Sequence, residues 1–274
     1  MPELPEVETT KNELSPHVIG RKFTAVTVYD AKAVHQPSIE EFCQKLPGQK
    51  VISLERRGKY LIFHLSGGEA LIIHLRMSGA LLLNTEQTDK YTRVVFQLDN
   101  GTQFAFTDRR RLGVLWLVKD KQSIVGKLGP EPLTTEFDAE ALARLLQRHQ
   151  APIKAMLLDQ HTIAGIGNMY ADEVLFAARI HPLRKANSLA SEEVKALHDA
   201  IIDVLSSAIR SKGASVDTYR RPDGELGIAH VSFNVAHRRG ERCPICGTPI
   251  QRIPIRSRGS YFCPECQKLS VLKH

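Results

Sequence analysis

The sequence predicts an α+β chain: an N-terminal antiparallel β-sandwich, then helices, then a four-cysteine metal finger. Three observations predict it. Alternating and β-branched runs fill residues 21–118, helical periodicity takes over after a Gly- and Pro-punctuated break at 119–136, and two Cys pairs close the chain. A length of 274 residues suggests two domains, at roughly 100–200 residues each.

The elements follow in order. Pro5 to Leu14 reads as a short helix with Glu6 and Glu8 in its first turn, ending before Ser15-Pro16. Phe23 to Val28 is β-branched. Tyr60–Leu65 and Ala70–Leu75 flank Ser66-Gly67-Gly68, a hairpin signal. Val94, Phe96 and Leu98 alternate up to Asn100-Gly101, and Phe104 and Phe106 alternate after it, the strongest short hairpin signal. Leu142, Leu145 and Leu146 share a helix face, as do Ile153, Met156 and Leu157. Val194, Leu197, Ile201, Val204, Leu205 and Ala208 form the clearest amphipathic stripe. A Gly- and Arg-containing loop spans about Lys212 to His230.

Composition narrows the function classes. With 42% hydrophobic and 24% charged residues, global disorder is excluded. No apolar run approaches the roughly 18 residues of a membrane span, and MPELPEVETT lacks the basic start and apolar stretch of a signal peptide. The expectation is a cytoplasmic protein without a membrane partner. The net charge of +7 favours a polyanion. Its clustering says more. Arg238, Arg239, Arg242, Arg252, Arg256 and Arg258 stand against Glu241 alone, and Arg109-Arg110-Arg111 is a second knot. Guanidinium forks suit phosphate.

Cys243-Pro-Ile-Cys246 and Cys263-Pro-Glu-Cys266 are two C-x-x-C knuckles 16 residues apart. Four thiolates complete a tetrahedral Zn²⁺ site with no open position, so one structural zinc is expected. The spacer is long enough for a hairpin, which the metal would hold in shape. Cys43 packs as a small hydrophobe.

Between the helix at 153–159 and the next, Ala164-Gly165-Ile166-Gly167 makes a turn and Asn168 is the natural N-cap. Backbone N–H groups there form an anion site that Lys154 can reach. The G-x-G-x-x-Y spacing lacks a third Gly and follows a helix, so no nucleotide cofactor is read from it.

At the other end, Pro2 becomes a secondary amine once Met1 is removed. Such an amine attacks an electrophilic carbon and forms an iminium. Its pKa lies below a lysine's, so more of it is unprotonated at neutral pH. Glu3 beside it can carry a proton.

PELPEVET, RRGKYL, HLRMSG, LGPEPL and AGIGNMYADE, in this order and with the terminal finger, closely resemble the formamidopyrimidine-DNA glycosylase family from Pro2 to Gln267. The resemblance implies a β-sandwich domain and a helical domain with a helix–two-turn–helix motif, joined by a hinge, with duplex DNA in the cleft. It implies a bifunctional glycosylase and AP lyase for oxidised purines, chiefly 8-oxoguanine and formamidopyrimidines, working as a monomer. Pro2 matches the nucleophile, Glu3 the acid/base, and Lys59 the lysine that contacts phosphate near the lesion. Glu6 matches a residue orienting the N-terminus. Tyr91, Arg93, Arg110, Lys154, Asn168 and Arg258 match DNA-binding positions. Met77, Arg110 and Leu112 match those that fill the gap left by an everted base. The expected domains are residues 1–132 (catalytic sandwich), 133–235 (helical, DNA-binding) and 236–274 (zinc finger).

Several positions depart from the family pattern. Leu112 stands where an aromatic wedge is usual, forgoing ring stacking worth roughly 1–3 kcal/mol per base on other platforms. Arg109 replaces a loop-stiffening Pro. Tyr91 and Arg93 replace two histidines, which removes groups that titrate near neutrality. Ala236-His237-Arg238 replaces Tyr-Gly-Arg before the finger, and the loop at 214–230 is only loosely alike. The competing readings are an endonuclease VIII-like enzyme for oxidised pyrimidines and a non-catalytic zinc protein that senses damage.

Overall fold

The computed structural model describes residues 1–84 and 89–269. The chain divides into two compact units, one of Met1–Lys127 with Ala208–His230, the other of Leu128–Ser207 with Val231–His274. Packing thus groups residues 208–230 with the N-terminal part, whereas the sequence reading kept 133–235 together.

In the first unit, α1 (Leu4–Val18) is followed by β1 (Phe23–Val28), β2 (Val34–Gln36), α2 (Ile39–Lys45), β3 (Val51–Arg57), β4 (Tyr60–Leu65) and β5 (Ala70–His74). Then come β6 (Gly79–Leu83), β7 (Thr92–Leu98), β8 (Gln103–Asp108), β9 (Val114–Val118) and α3 (Gln122–Val125). One sheet has the order β1-β7-β8-β6, the other β2-β9-β5-β4-β3. The expected hairpins form: β4 with β5, and β7 with β8 across Asn100-Gly101. Alternation faces Val94, Phe96, Phe104 and Phe106 inward, where Phe63 of β4 stacks on Phe104 of β8 at 6.0 Å. That aromatic layer joins the sheets into the expected sandwich.

Three details differ from expectation. First, β2 pairs with β9 in parallel, while every other strand pair in the two sheets is antiparallel. Second, α2 interrupts the strand-like region, capped by Ser38 Oγ accepting from Glu41 N at 3.2 Å. Third, α1 continues through Pro16. A proline in the last turn removes one donor, and buried Leu14 and Val18 keep that turn on the core. Arg56 of β3 also binds Glu8 of α1 at 2.6 Å.

The second unit holds α4 (Ala139–Leu146), α5 (Ile153–Leu158), α6 (Asn168–Ala177), most of α7 (Ser191–Arg210), β10 (Gln251–Ile255) and β11 (Arg258–Phe262). The apolar stripes go where the periodicity puts them: Leu142, Leu146, Ile153, Met156, Leu157, Leu197, Ile201 and Leu205 are buried. β10 and β11 form an antiparallel ribbon within the spacer between the Cys pairs. Phe176 of α6 packs with Val235, Cys243, Ile250 and Cys263, seating the finger on the helices. Among the described residues, no helix is long and apolar enough to cross a membrane.

Candidate functional site

Pro2 is buried just before α1, and Glu3 occupies its N-cap position with extended backbone. Glu3 N–H donates to Glu6 Oε2 at 2.7 Å. The other Glu6 oxygen accepts from Ala214 N at 2.7 Å, and Tyr219 OH donates to the Glu6 carbonyl at 3.3 Å. Gly213 makes this approach possible. Its φ is +77°, and a Cβ there would sit 2.9 Å from Glu6 Cγ. Burial, and then the Glu6 carboxylate, push the Tyr219 phenol above its ordinary pKa, so it stays a donor. Glu6 therefore fixes the backbone behind Pro2, and residues 213–219 fix Glu6.

Lys59 is buried in the β3–β4 turn, after Gly58 at φ 56°. The adjacent Tyr60 meets His74 edge-on at 4.5 Å. Burial first, then the charges of Arg76 and Lys59, push His74 down to about 3. The neutral ring accepts Arg76 N–H at Nδ1, 3.0 Å away.

Asp108 organises the loop that carries Arg110 and Leu112. Its buried carboxylate accepts Arg110 N at 3.0 Å, Leu112 N at 2.8 Å, Gly113 N at 2.6 Å and the Ser78 hydroxyl. Arg110 N also donates to Ser78 Oγ at 2.9 Å. One carboxylate thus holds the backbone of Arg110 and Leu112 and the side chain of Ser78, the residue after Met77. Gly113 is required there: a Cβ would lie 2.5 Å from Phe106 Cζ. Arg111, at φ 56°, binds Asp30 with two bonds of 2.7 and 2.9 Å. Met77 and Leu112 are exposed at 38% and 43%. Thr218 Oγ reaches the Met77 carbonyl at 3.5 Å.

The two replaced histidine positions take different roles. The Tyr91 ring is flanked by Lys90 at 5.1 Å and Arg109 at 5.8 Å, a cationic patch around an aromatic face. Arg93 instead turns inward, with Nε on the Asp108 carbonyl at 2.9 Å and Nη1 on the Lys90 carbonyl at 3.2 Å. It supports the loop from behind.

In the second unit, the four Sγ atoms of Cys243, Cys246, Cys263 and Cys266 lie within 4.8 Å of one another. Two of the separations are 3.8 and 3.4 Å. Tetrahedral Zn²⁺ with 2.3 Å bonds needs sulfurs about 3.8 Å apart, so the cage fits that ion.

The interhelical turn corrects two expectations. Gly167, not Asn168, is the N-cap of α6, because its extended backbone ends the turn one residue early. Asn168 is already helical, and its Nδ2 donates to the Gly259 carbonyl of the finger at 3.1 Å. Lys154 is wholly buried, paired with Asp172 at 2.7 Å and donating to the same carbonyl at 3.2 Å. It grips the finger turn rather than standing open to a phosphate. Arg258, beside that carbonyl at the head of β11, is exposed. Gln160 braces the turn, accepting Gly165 N at 2.9 Å and donating to the Ile166 carbonyl at 2.8 Å.

Family models match three stretches: the formamidopyrimidine-DNA glycosylase N-terminal domain over residues 1–115, that enzyme's H2TH domain over 128–220, and the zinc finger found in FPG and IleRS over 240–269. The formamidopyrimidine-DNA glycosylase of Chloroflexus aurantiacus is 45% identical over 97% of this chain and 98% of its own length. That of Desulforamulus reducens is 43% identical over 98% and 99%. The chain belongs to the formamidopyrimidine-DNA glycosylase family. The solved MutM (FPG) protein of Thermus thermophilus superposes with a TM-score of 0.88 at 39% identity, covering 97% of this chain and 98% of that one. The Lactococcus lactis family member in complex with Fapy-dG-containing DNA gives 0.89 at 36%, covering 97% and 100%. Its complex with abasic-site DNA gives 0.89 at 35%, covering 97% and 99%.

The four cysteines fall within the finger match at 240–269 and form the site of one structural zinc. Sequence reasoning missed Asp108, His74, Asp172 and Tyr219. Only Asp108 carried a signal, as an Asp opening a turn toward Gly113.

Proposed function

We propose that this chain is a base-excision DNA glycosylase that removes oxidised purines from duplex DNA and then cuts the strand as an AP lyase. The observation that carries this reading is the Pro2–Glu3–Glu6 arrangement in a member of the family. Pro2 sits at the head of α1, next to Glu3, whose N–H is held by the buried Glu6 carboxylate. With Met1 removed, its nitrogen attacks C1′ of the damaged nucleotide. The glycosidic bond breaks, the base departs, and the opened sugar is left as an iminium on Pro2. The iminium acidifies C2′–H. Loss of that proton expels the 3′ phosphate, and a second elimination expels the 5′ phosphate. Glu3 carries protons during ring opening. Lys59 is assigned to the phosphate nearest the lesion.

A base inside a duplex cannot be reached, so the nucleotide must be everted. Met77, Arg110 and Leu112 fill the space, the latter two held by Asp108. Tyr91 with Arg109, and Asn168 with Arg258, line the phosphate backbone. Lys154 and Arg93 act from behind these residues. Zinc, held by Cys243, Cys246, Cys263 and Cys266, shapes the hairpin that carries Arg258. The functional division is a catalytic part at 1–132, a DNA-binding helical part at 133–235 and a finger at 236–274, of which residues 270–274 lie outside the described residues. The protein acts as a monomer in the cytoplasm, on nucleoid DNA.

Competing excision assays test the substrate class. Duplexes with 8-oxoguanine or a formamidopyrimidine opposite cytosine should be cut well ahead of duplexes with an oxidised pyrimidine. The reverse order would place the chain with the pyrimidine-specific enzymes.

A further inference from the structure

The finger ribbon has an edge that β10 does not cover. Pro254 lies opposite Gly259 in the β10–β11 register, and proline has no N–H to give. That pair is therefore a non-hydrogen-bonded one. The Gly259 carbonyl and the Tyr261 N–H, two residues apart on one strand edge, point away from β10. A two-stranded ribbon is marginal alone, and an edge with unsatisfied backbone groups is a weakness.

Side chains from α5 and α6 occupy that edge. Lys154 Nζ donates to the Gly259 carbonyl at 3.2 Å, and Asn168 Nδ2 donates to it at 3.1 Å. The Asp172 carboxylate pairs with Lys154 at 2.7 Å and so holds that ammonium in place. Two side-chain donors from neighbouring helices thus converge on one edge carbonyl of the ribbon. The Lys154 and Asp172 side chains are at most 1% exposed. Burial raises the Asp172 carboxyl to about 7, with Lys154 pulling it back down and Glu173 pushing it up. A buried ion pair of this kind is weak support for stability, since apolar residues of similar volume often do as well. An apolar pair cannot, however, bond a strand edge.

We propose that Lys154, held by Asp172, and Asn168 pin the open edge of the finger ribbon at the Gly259 carbonyl, making Asp172 a positioning residue that fixes where Arg258, the residue before Gly259, meets the DNA phosphate. This rests on the repair reading above.

The test compares wild type, Asp172→Asn, Arg258→Ala, their double variant, and Lys154→Met/Asp172→Leu. Each is measured for zinc content, for affinity to a duplex with a tetrahydrofuran abasic analogue across salt concentrations, and for single-turnover cutting of saturating 8-oxoguanine duplex. Asp172→Asn should keep one zinc and its rate at saturation, yet bind about tenfold more weakly, the scale of one charge-assisted contact. Its salt slope should drop by about one phosphate. Adding Arg258→Ala should then cost little more, because the contact is already lost. Lys154→Met/Asp172→Leu should fold with zinc and show the same weakened binding. Wild-type affinity and slope in Asp172→Asn, or their restoration in the apolar pair, would overturn the proposal alone. A wild-type chain that binds no duplex would overturn the repair reading as well.

Discussion

Replacing Asp108 with Asn changes one oxygen into an NH₂ and leaves the shape intact. The lost oxygen matters according to which bonds it held. Oδ2 accepts Leu112 N at 2.8 Å and Gly113 N at 2.6 Å; Oδ1 accepts Arg110 N at 3.0 Å and the Ser78 hydroxyl. Whichever way the amide turns, two donors face a third donor at a site 1% exposed. Bonds to a charged acceptor contribute about 1.5–3 kcal/mol each, so the cost is about 3 kcal/mol or more. For a domain of this size that lowers the melting temperature by about 6–12 °C. The loop should also lose its set conformation, taking Arg110 and Leu112 out of register. Excision of 8-oxoguanine should slow by at least about tenfold, because misplacement of positioning groups acts on rate that steeply. Cutting of a preformed abasic duplex, which has no base to evert, should fall far less. Calorimetry and single-turnover gels on both duplexes read this. A variant melting within about 2 °C of wild type, or losing both activities in step, would refute the assignment of Asp108 as organiser of the gap-filling loop.

Much of the molecule is legible in the sequence because its signals are local. Asn100-Gly101 between alternating runs specified the β7–β8 hairpin and its inward Phe face, and Cys spacing specified the finger and its ribbon. The stripe on α7 specified its buried face. Other features needed only a stricter reading: Ser38 with Glu40 and Glu41 is a full helix-start signal for α2, in a stretch that otherwise reads as strand. The remainder depends on distant partners. Lys154 looks like a surface cation until Asp172, one helix later, is seen to bury it. Arg93 reads as a surface cation until its guanidinium is seen to donate to the Asp108 and Lys90 carbonyls. Asn168 has the chemistry of a cap, but Gly167 ends the turn first.

Four further outcomes follow. Leu112→Phe, which adds a ring to an exposed wedge position, should speed 8-oxoguanine excision, with stacking worth about 1–3 kcal/mol as its ceiling; an unchanged single-turnover rate would count against Leu112 as the wedge. His74 is held neutral, its pKa depressed from 6.5 to about 3, so the unfolded state binds more protons between those values. Stability should therefore be full above about pH 6.5 and fall as the pH drops toward 3, by up to about 1.4 kcal/mol per unit; His74→Gln should flatten that slope in pH-dependent melting. Cys263→Ala, or exhaustive chelation, should remove the metal and abolish tight duplex binding while leaving the sandwich folded by near-UV circular dichroism, because the sulfur cage lies in the second unit. Tyr219→Phe removes a donor to the Glu6 carbonyl and should cost about 1 kcal/mol of stability in denaturant titration.

The central claim is that Pro2 is the nucleophile, and borohydride trapping tests it most directly. Protein whose intact mass shows that Met1 is absent is mixed with a duplex carrying 8-oxoguanine opposite cytosine, beside an abasic duplex, and reduced. A covalent protein–DNA adduct should form on both duplexes with wild type and on neither with Pro2→Gly. No adduct with wild type on either duplex, or an undiminished adduct in Pro2→Gly, would contradict the claim.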